Sequence, residues 1–238
     1  MAGGAASPYM TRMSASLTIK ICGLSTPATL SAALDCGADM VGFVFFPPSP
    51  RHIGFAQARD LAAITGSRAL KVALSVDADD VYLDEVVAAL SPDLLQLHGR
   101  ETPGRVAAIR ARYGLPVMKA LGVSTQADFA PLSAFEEVAD RILFDAKPPK
   151  DATRPGGNGH AFDWSLLRAR AFHKPWMLSG GLNCESVAAA IAATRPPGID
   201  VSSGVETAPG MKDPALIEAF MARARAAQAA LGSAPKTA

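Results

Sequence analysis

The sequence predicts one α/β domain, a closed (β/α)8 barrel, the TIM-barrel architecture. Three observations carry that expectation. Short β-rich runs alternate strictly with Ala-rich amphipathic runs, the pattern of a parallel sheet with crossover helices. The alternation repeats eight times within about 220 residues, the size of one such barrel. The glycine fingerprint G-x-G-x-x-G that follows the first strand of many open doubly wound sheets is absent, and "CGLSTP" stands in its place. The barrel is expected over 17–231, between an N-terminal extension over 1–16 and a tail over 232–238.

The strands are read at 17–23, 39–45, 69–76, 93–99, 116–123, 141–147, 175–181 and 198–204. The first, "LTIKICG", alternates so that Lys20 and Cys22 share one face and Ile19 and Ile21 the other. The helix after it, "TPATLSAALDCG", has Thr26 as N-cap, Pro27 at its first position and Gly37 as terminator. Further helices are read in "FAQARDLAAIT", "DDVYLDEVVAAL", "TPGRVAAIRARYG", "TQADFAPLSAFEEVA", "FDWSLLRARAF", "NCESVAAAIAAT" and "DPALIEAFMARARAAQAAL". Two connections are long, "FPPSPRHIGF" after strand 2 and "PPKDATRPGGNGHAF" after strand 6, and long loops in compact domains usually serve function.

Composition narrows the partners. Twenty-three basic residues against twenty-two acidic ones leave a formal charge of +1, which gives no electrostatic case for nucleic acid or an anionic membrane surface. The first sixteen residues lack the apolar core of a secretory signal, and no apolar run reaches transmembrane length. Three cysteines, an odd number, argue against a disulfide scaffold and for a reducing, cytoplasmic setting. The four histidines show no metal-ligand spacing, so no metal site is expected. Monomer and homodimer both remain open.

Barrel enzymes work at the carboxyl ends of their strands. Cys22 ends strand 1 and Asp145 nearly ends strand 6, with Arg51, His98 and Asp200 on the same edge. "SGGLN" and "SSGVE" follow strands 7 and 8, where glycines let backbone approach an anion, so Gly180, Gly181, Ser203 and Gly204 are candidate phosphate ligands. "GGNG" after strand 6 adds Gly157 and Gly159. Ordinary alternatives stand beside each. A strand cysteine is usually a small buried apolar residue, Asp145 could pair with Lys147, and His98 is as readily structural.

Together "KICGLS", "GADMVGFVFFPPSPRHI", "LQLHG", "LFDAKPP", "LSGGLN" and "DVSSGVE" closely resemble the phosphoribosylanthranilate isomerase family of the tryptophan pathway, over about 17–225. The resemblance implies a cofactor-free Amadori rearrangement of N-(5-phosphoribosyl)anthranilate to 1-(2-carboxyphenylamino)-1-deoxyribulose 5-phosphate. It implies Cys22 as general base, Asp145 as general acid and Arg51 beside the anthranilate carboxylate. Two departures are visible: "KDATR" lengthens the sixth loop, and Cys184 stands where proline is common. Cys184, read at the start of a helix, is the rival thiol; Cys36 reads as packing. From spacing alone, Lys20 is expected to stabilise a Cys22 thiolate. The histidine-pathway sugar-phosphate isomerases resemble a pair of aspartates on strands 1 and 5, and strand 5 here has no carboxylate, so that reading ranks below. A silent sugar-phosphate-binding barrel is the alternative from another class.

Overall fold

A computed structural model describes residues 17–147, 156, 161–168 and 170–233. Eight parallel strands close on themselves in sequence order, β1 (Thr18–Cys22), β2 (Met40–Phe45), β3 (Leu70–Ser75), β4 (Leu94–Leu97), β5 (Val117–Val123), β6 (Arg141–Ala146), β7 (Trp176–Leu178) and β8 (Gly198–Val201). Helices α1 (Pro27–Asp35), α2 (Phe55–Thr65), α3 (Asp80–Leu90), α4 (Pro103–Tyr113), α5 (Leu132–Val138), α6 (Ser165–Arg168), α7 (Val187–Thr194) and α8 (Pro214–Ser233) follow them. The expected barrel is the observed one.

Period-two alternation sorts the strand residues into two cores. Ile19 and Ile21 of β1, Phe43 and Phe45 of β2 and Phe144 of β6 face the helices and are fully or almost fully buried. Burying side chains of this size stabilises the fold by roughly 1.5–3 kcal/mol each. The inward positions form a second apolar plug of Met40, Val72, Leu94, Met118, Leu143 and Met177 low in the barrel. Above it polar inward residues stand beside a smaller apolar group of Cys22, Val44 and Leu74, and the site begins there.

The closed end opposite the site uses one device three times. Asp39, Asp93 and Asp140 stand just before β2, β4 and β6. Each accepts a backbone N–H from the preceding strand, of Ile19 at 2.8 Å, Lys71 at 2.8 Å and Val117 at 2.9 Å. Each is also met by a basic side chain, Arg225, Lys71 and Arg110. Arg225 of α8 donates as well to the Leu17 carbonyl at 2.6 Å, which ties the last helix to the first strand.

Several boundaries differ from the sequence reading. The segment read as one helix over 125–139 is a 3-10 turn, Gln126–Phe129, and then α5, because Pro131 has no N–H to carry a helix through. The helix read from Asn183 starts at Val187, since the Asn183 side chain accepts from Glu185 N at 2.8 Å and Ser186 N at 2.9 Å and holds a turn instead. Of the helix read in "FDWSLLRARAF", Ser165–Arg168 is helical among the described residues, and α8 runs on to Ser233. A small hairpin, β9 (Glu206–Ala208) and β10 (Met211–Lys212), follows β8 and was not foreseen. Its Pro209-Gly210 turn packs on the loop after β2, where a side chain on Gly210 would lie 2.4 Å from the Pro50 carbonyl oxygen. The extension over 1–16 and most of the tail lie outside the described residues.

Candidate active site

The rim is built by the inward alternation of the strands. Lys20 and Cys22 of β1 point into the barrel, as do Gln96 on β4, Asp145 on β6 and Asp200 on β8. Lys20 pairs in register with Asp200 across β1 and β8, and Cys22 with Gly42 across β1 and β2. Above them opens a cavity of about 770 Å³, within the usual range for a small-molecule site. Cys22, Arg51, His98, Asp145 and Asp200 all line it, together with Ser179, Gly180, Gly181, Ser202 and Ser203. Val44, Phe46, Leu74 and Val76 supply an apolar wall.

Cys22 is 4% exposed. Burial pushes its thiol up; Lys20 pulls it down, Asp200 pushes it up again, and the net is above the ordinary thiol value. Lys20 is fully buried and donates to Asp200 Oδ1 at 2.8 Å. Burial works against the Lys20 ammonium, but Asp200 and then Cys22 outweigh it, so its pKa rises. The expected effect of Lys20 on Cys22 therefore has the right sign, yet much of its charge is already matched by Asp200.

Asp145 does not pair with Lys147, which reaches out to Asp128 at 2.7 Å. Its Oδ2 lies 3.2 Å from His98 Nε2, and its Oδ1 accepts from Ala146 N at 2.8 Å. Gln96 Nε2 lies 3.1 Å from His98 Nδ1, so the ring is held from both sides. A side chain on Gly156 would strike Asp145 Oδ2 at 2.7 Å and His98 Nε2 at 2.8 Å, which places that glycine's backbone directly over the pair.

Arg51 meets a carboxylate in the fork geometry expected of it, but that carboxylate is the protein's own. Its Nε and one terminal nitrogen donate to Glu206 at 2.7 and 2.8 Å. Glu206 also accepts from Lys212 at 2.5 Å. Burial raises the Glu206 carboxyl, and Arg51 and Lys212 outweigh it and leave it below the usual range. Burial depresses Lys212, and Glu206 opposes this only in part. Reading the sequence missed Glu206, Lys212 and Gln96. The fragment "SSGVE" contained Glu206, but nothing local gave its partner 155 residues away.

The loops after β7 and β8 meet through a bridge between Asn183 and Gly204. Gly180 and Gly181 have φ of +88° and +65°, conformations that favour glycine. Ser203 lines the cavity beside them. Gly157 and Gly159 lie outside the described residues. Cys184 is not among the cavity's residues, and its Sγ faces the Leu216 carbonyl oxygen at 3.7 Å. Cys36 caps α1 and packs on the outer core.

A parallel barrel with titratable groups facing one another across its carboxyl-end mouth belongs to the class of barrel enzymes that move protons on small substrates. The model of one family, described as N-(5'-phosphoribosyl)anthranilate (PRA) isomerase, matches residues 19–223. The chain belongs to that family, the isomerases of N-(5'-phosphoribosyl)anthranilate in tryptophan biosynthesis. The isomerase of Bradyrhizobium sp. strain BTAi1 is 60% identical over 213 residues, covering 90% of this chain and 97% of that one. That of Rhodopseudomonas palustris strain HaA2 is 62% identical, covering 90% and 98%. The phosphoribosyl anthranilate isomerase of Thermotoga maritima superposes with a TM-score of 0.79 at 36% identity, covering 89% of this chain and 100% of that one.

Proposed function

We propose that Cys22 and Asp145 are the base and the acid of the isomerisation. The supporting observation is their placement. Both stand on inward positions at the carboxyl ends of β1 and β6, on opposite sides of one cavity. The rearrangement needs a proton on the furanose oxygen to open the ring and loss of the proton on C2 to form the enol, so one donor and one acceptor must flank the ribose. Asp145 gives its proton to the ring oxygen. The Cys22 thiolate takes the proton from C2, and the enol then becomes the ketone. No cofactor is needed for these transfers.

The remaining residues bind and position. His98 holds the Asp145 carboxyl, and Gln96 holds His98. Asp200, fixed by Lys20 and 3.4 Å from Ser179 Oγ, supports the Cys22 side of the ribose. Arg51, oriented by Glu206, faces the anthranilate carboxylate, and the apolar wall around Val44, Phe46 and Leu74 accepts its ring. Gly180, Gly181, Ser203 and Gly204 bind the phosphate at the mouth. A structural relative, 34% identical with a TM-score of 0.76, was solved in complex with reduced 1-(o-carboxyphenylamino)-1-deoxyribulose 5-phosphate, which supports a ligand of this size and charge. Among the described residues no helix is long and apolar enough to cross a membrane.

The test is the decay of substrate fluorescence with Cys22→Ala and Asp145→Asn. Each variant loses at least about 10² in kcat, the scale of a general acid or base. Wild-type rates in both would overturn the assignment.

A further inference from the structure

The outer face of β5 holds a charge that the acid–base scheme leaves unused. Leu97 of β4 and Ile142 of β6 stand in register with Lys119, and both belong to the apolar layer between strands and helices. Strand alternation calls for another aliphatic side chain at 119. The group there is instead an ammonium, 5.7 Å from the centre of the Phe135 ring of α5. Its partner is Glu101, in the loop between β4 and α4, at 2.7 Å, and the two side chains are 2% and 3% exposed. A buried ion pair of this kind seldom stabilises a fold more than apolar packing of the same volume. The pair is better explained by what it holds in place.

What it holds is the segment that carries His98. Lys119 Nζ donates to the Leu97 carbonyl at 3.3 Å and to the Gly99 carbonyl at 2.7 Å, one on each side of His98. Glu101 accepts the Gly99 N–H at 3.0 Å and the Asp77 N–H at 2.9 Å. Asp77 has φ of +47°, a left-handed conformation uncommon outside glycine, and its Oδ1 accepts from Arg100 N at 2.6 Å. A side chain on Gly99 would lie 2.4 Å from Asp77 Oδ1, so the rim loops after β3 and β4 are pressed together beside the Glu101 carboxylate. The His98 N–H itself donates to the Ser75 carbonyl at 2.9 Å. The backbone is thus pinned at His98 and at both of its neighbours, and the ring it carries lies 3.2 Å from Asp145 Oδ2.

We propose that Lys119 and Glu101 are positioning residues for the acid: through the backbone on either side of His98 they set where its imidazole meets Asp145. This rests on Asp145 being the acid and His98 its holder, and says what fixes the holder. Neither Lys119 nor Glu101 is among the residues that line the cavity. Their effect on turnover therefore passes through the loop.

The test is a cycle of variants read by steady-state kinetics and by the His98 imidazole signal in 1H–13C NMR, assigned with His98→Ala. Lys119→Met and Glu101→Leu are made together, so that no unpaired charge is left buried. In this variant kcat falls at least about tenfold, the scale of a small misplacement near the reacting groups. KM changes by less than about twofold, because the loss is in the transition state. The His98 signal moves. In a His98→Ala background the same two substitutions change kcat by less than about twofold, since the group they position is gone. A merely structural pair would lower kcat by the same factor with and without His98. Equal losses in both backgrounds, or an unmoved His98 signal, overturn the proposal. Where the paired variant does not fold, Glu101→Gln is read in the same way: a loss that depends on His98 supports the proposal, and wild-type kcat with an unmoved signal overturns it. Wild-type kcat in His98→Ala overturns His98 as the holder of the acid, while the NMR signal decides separately whether the ion pair fixes the ring.

Discussion

Gly42 on β2 carries no side chain because the thiol and the ammonium of β1 occupy the room one would take. Neither can retreat. Cys22 is fixed on a buried strand, and Lys20 is held by Asp200 at 2.8 Å. Gly42→Ala therefore displaces the thiol proposed as the base. Displacements of about 1 Å lower rates by about 10²-fold, and overpacking of this kind destabilises by roughly 1–3 kcal/mol. Steady-state kinetics should show the loss in kcat with KM little changed, and urea unfolding should show the smaller drop in stability. At this scale much was legible. Strand alternation alone put Lys20 and Cys22 on one face, and the inner face is where they lie. What strand spacing could not supply is the partner of Lys20, because Asp200 joins it only when β8 closes the barrel 180 residues later.

The elements repeat one stabilising device at the end of the barrel away from the cavity. Asp39, Asp93 and Asp140 each satisfy a backbone N–H of the strand before their own. Val117 is fully buried, so Asp140→Ala leaves its N–H without that acceptor. Hydrogen bonds to charged groups of this kind are worth about 1.5–3 kcal/mol, and that loss is expected in chemical unfolding, with kcat unchanged because the site is at the opposite end. Element order and type were legible from periodicity, whereas several boundaries were not. Pro131 divides a segment that reads as one amphipathic helix, and the side chain of Asn183 delays α7 by capturing two N–H groups. The hairpin of β9 and β10 was missed because it is too short to show a period, although its Pro209-Gly210 turn was there to be seen.

The molecule as a whole separates its tasks by height. Apolar packing fills the lower barrel, paired charges fill the middle, and glycine-rich loops frame the mouth. The overall charge of +1 says little about this arrangement, since a net sum does not register the opposite charges paired in the interior. The fold was legible because eight repeats each carry the same signal. The site was legible in its strand-end residues, and less so in the partners that orient them. Arg225 of α8 clasps Leu17 at the closed end, and this joins the two extremities of the barrel on the side remote from the mouth. A second protein spliced on after Ser233 would thus hang below the catalytic opening like a keel, leaving kcat/KM unchanged, while the same cargo inserted between Gly181 and Leu182 would abolish turnover. The chain is built to be towed from behind without obstructing what enters in front.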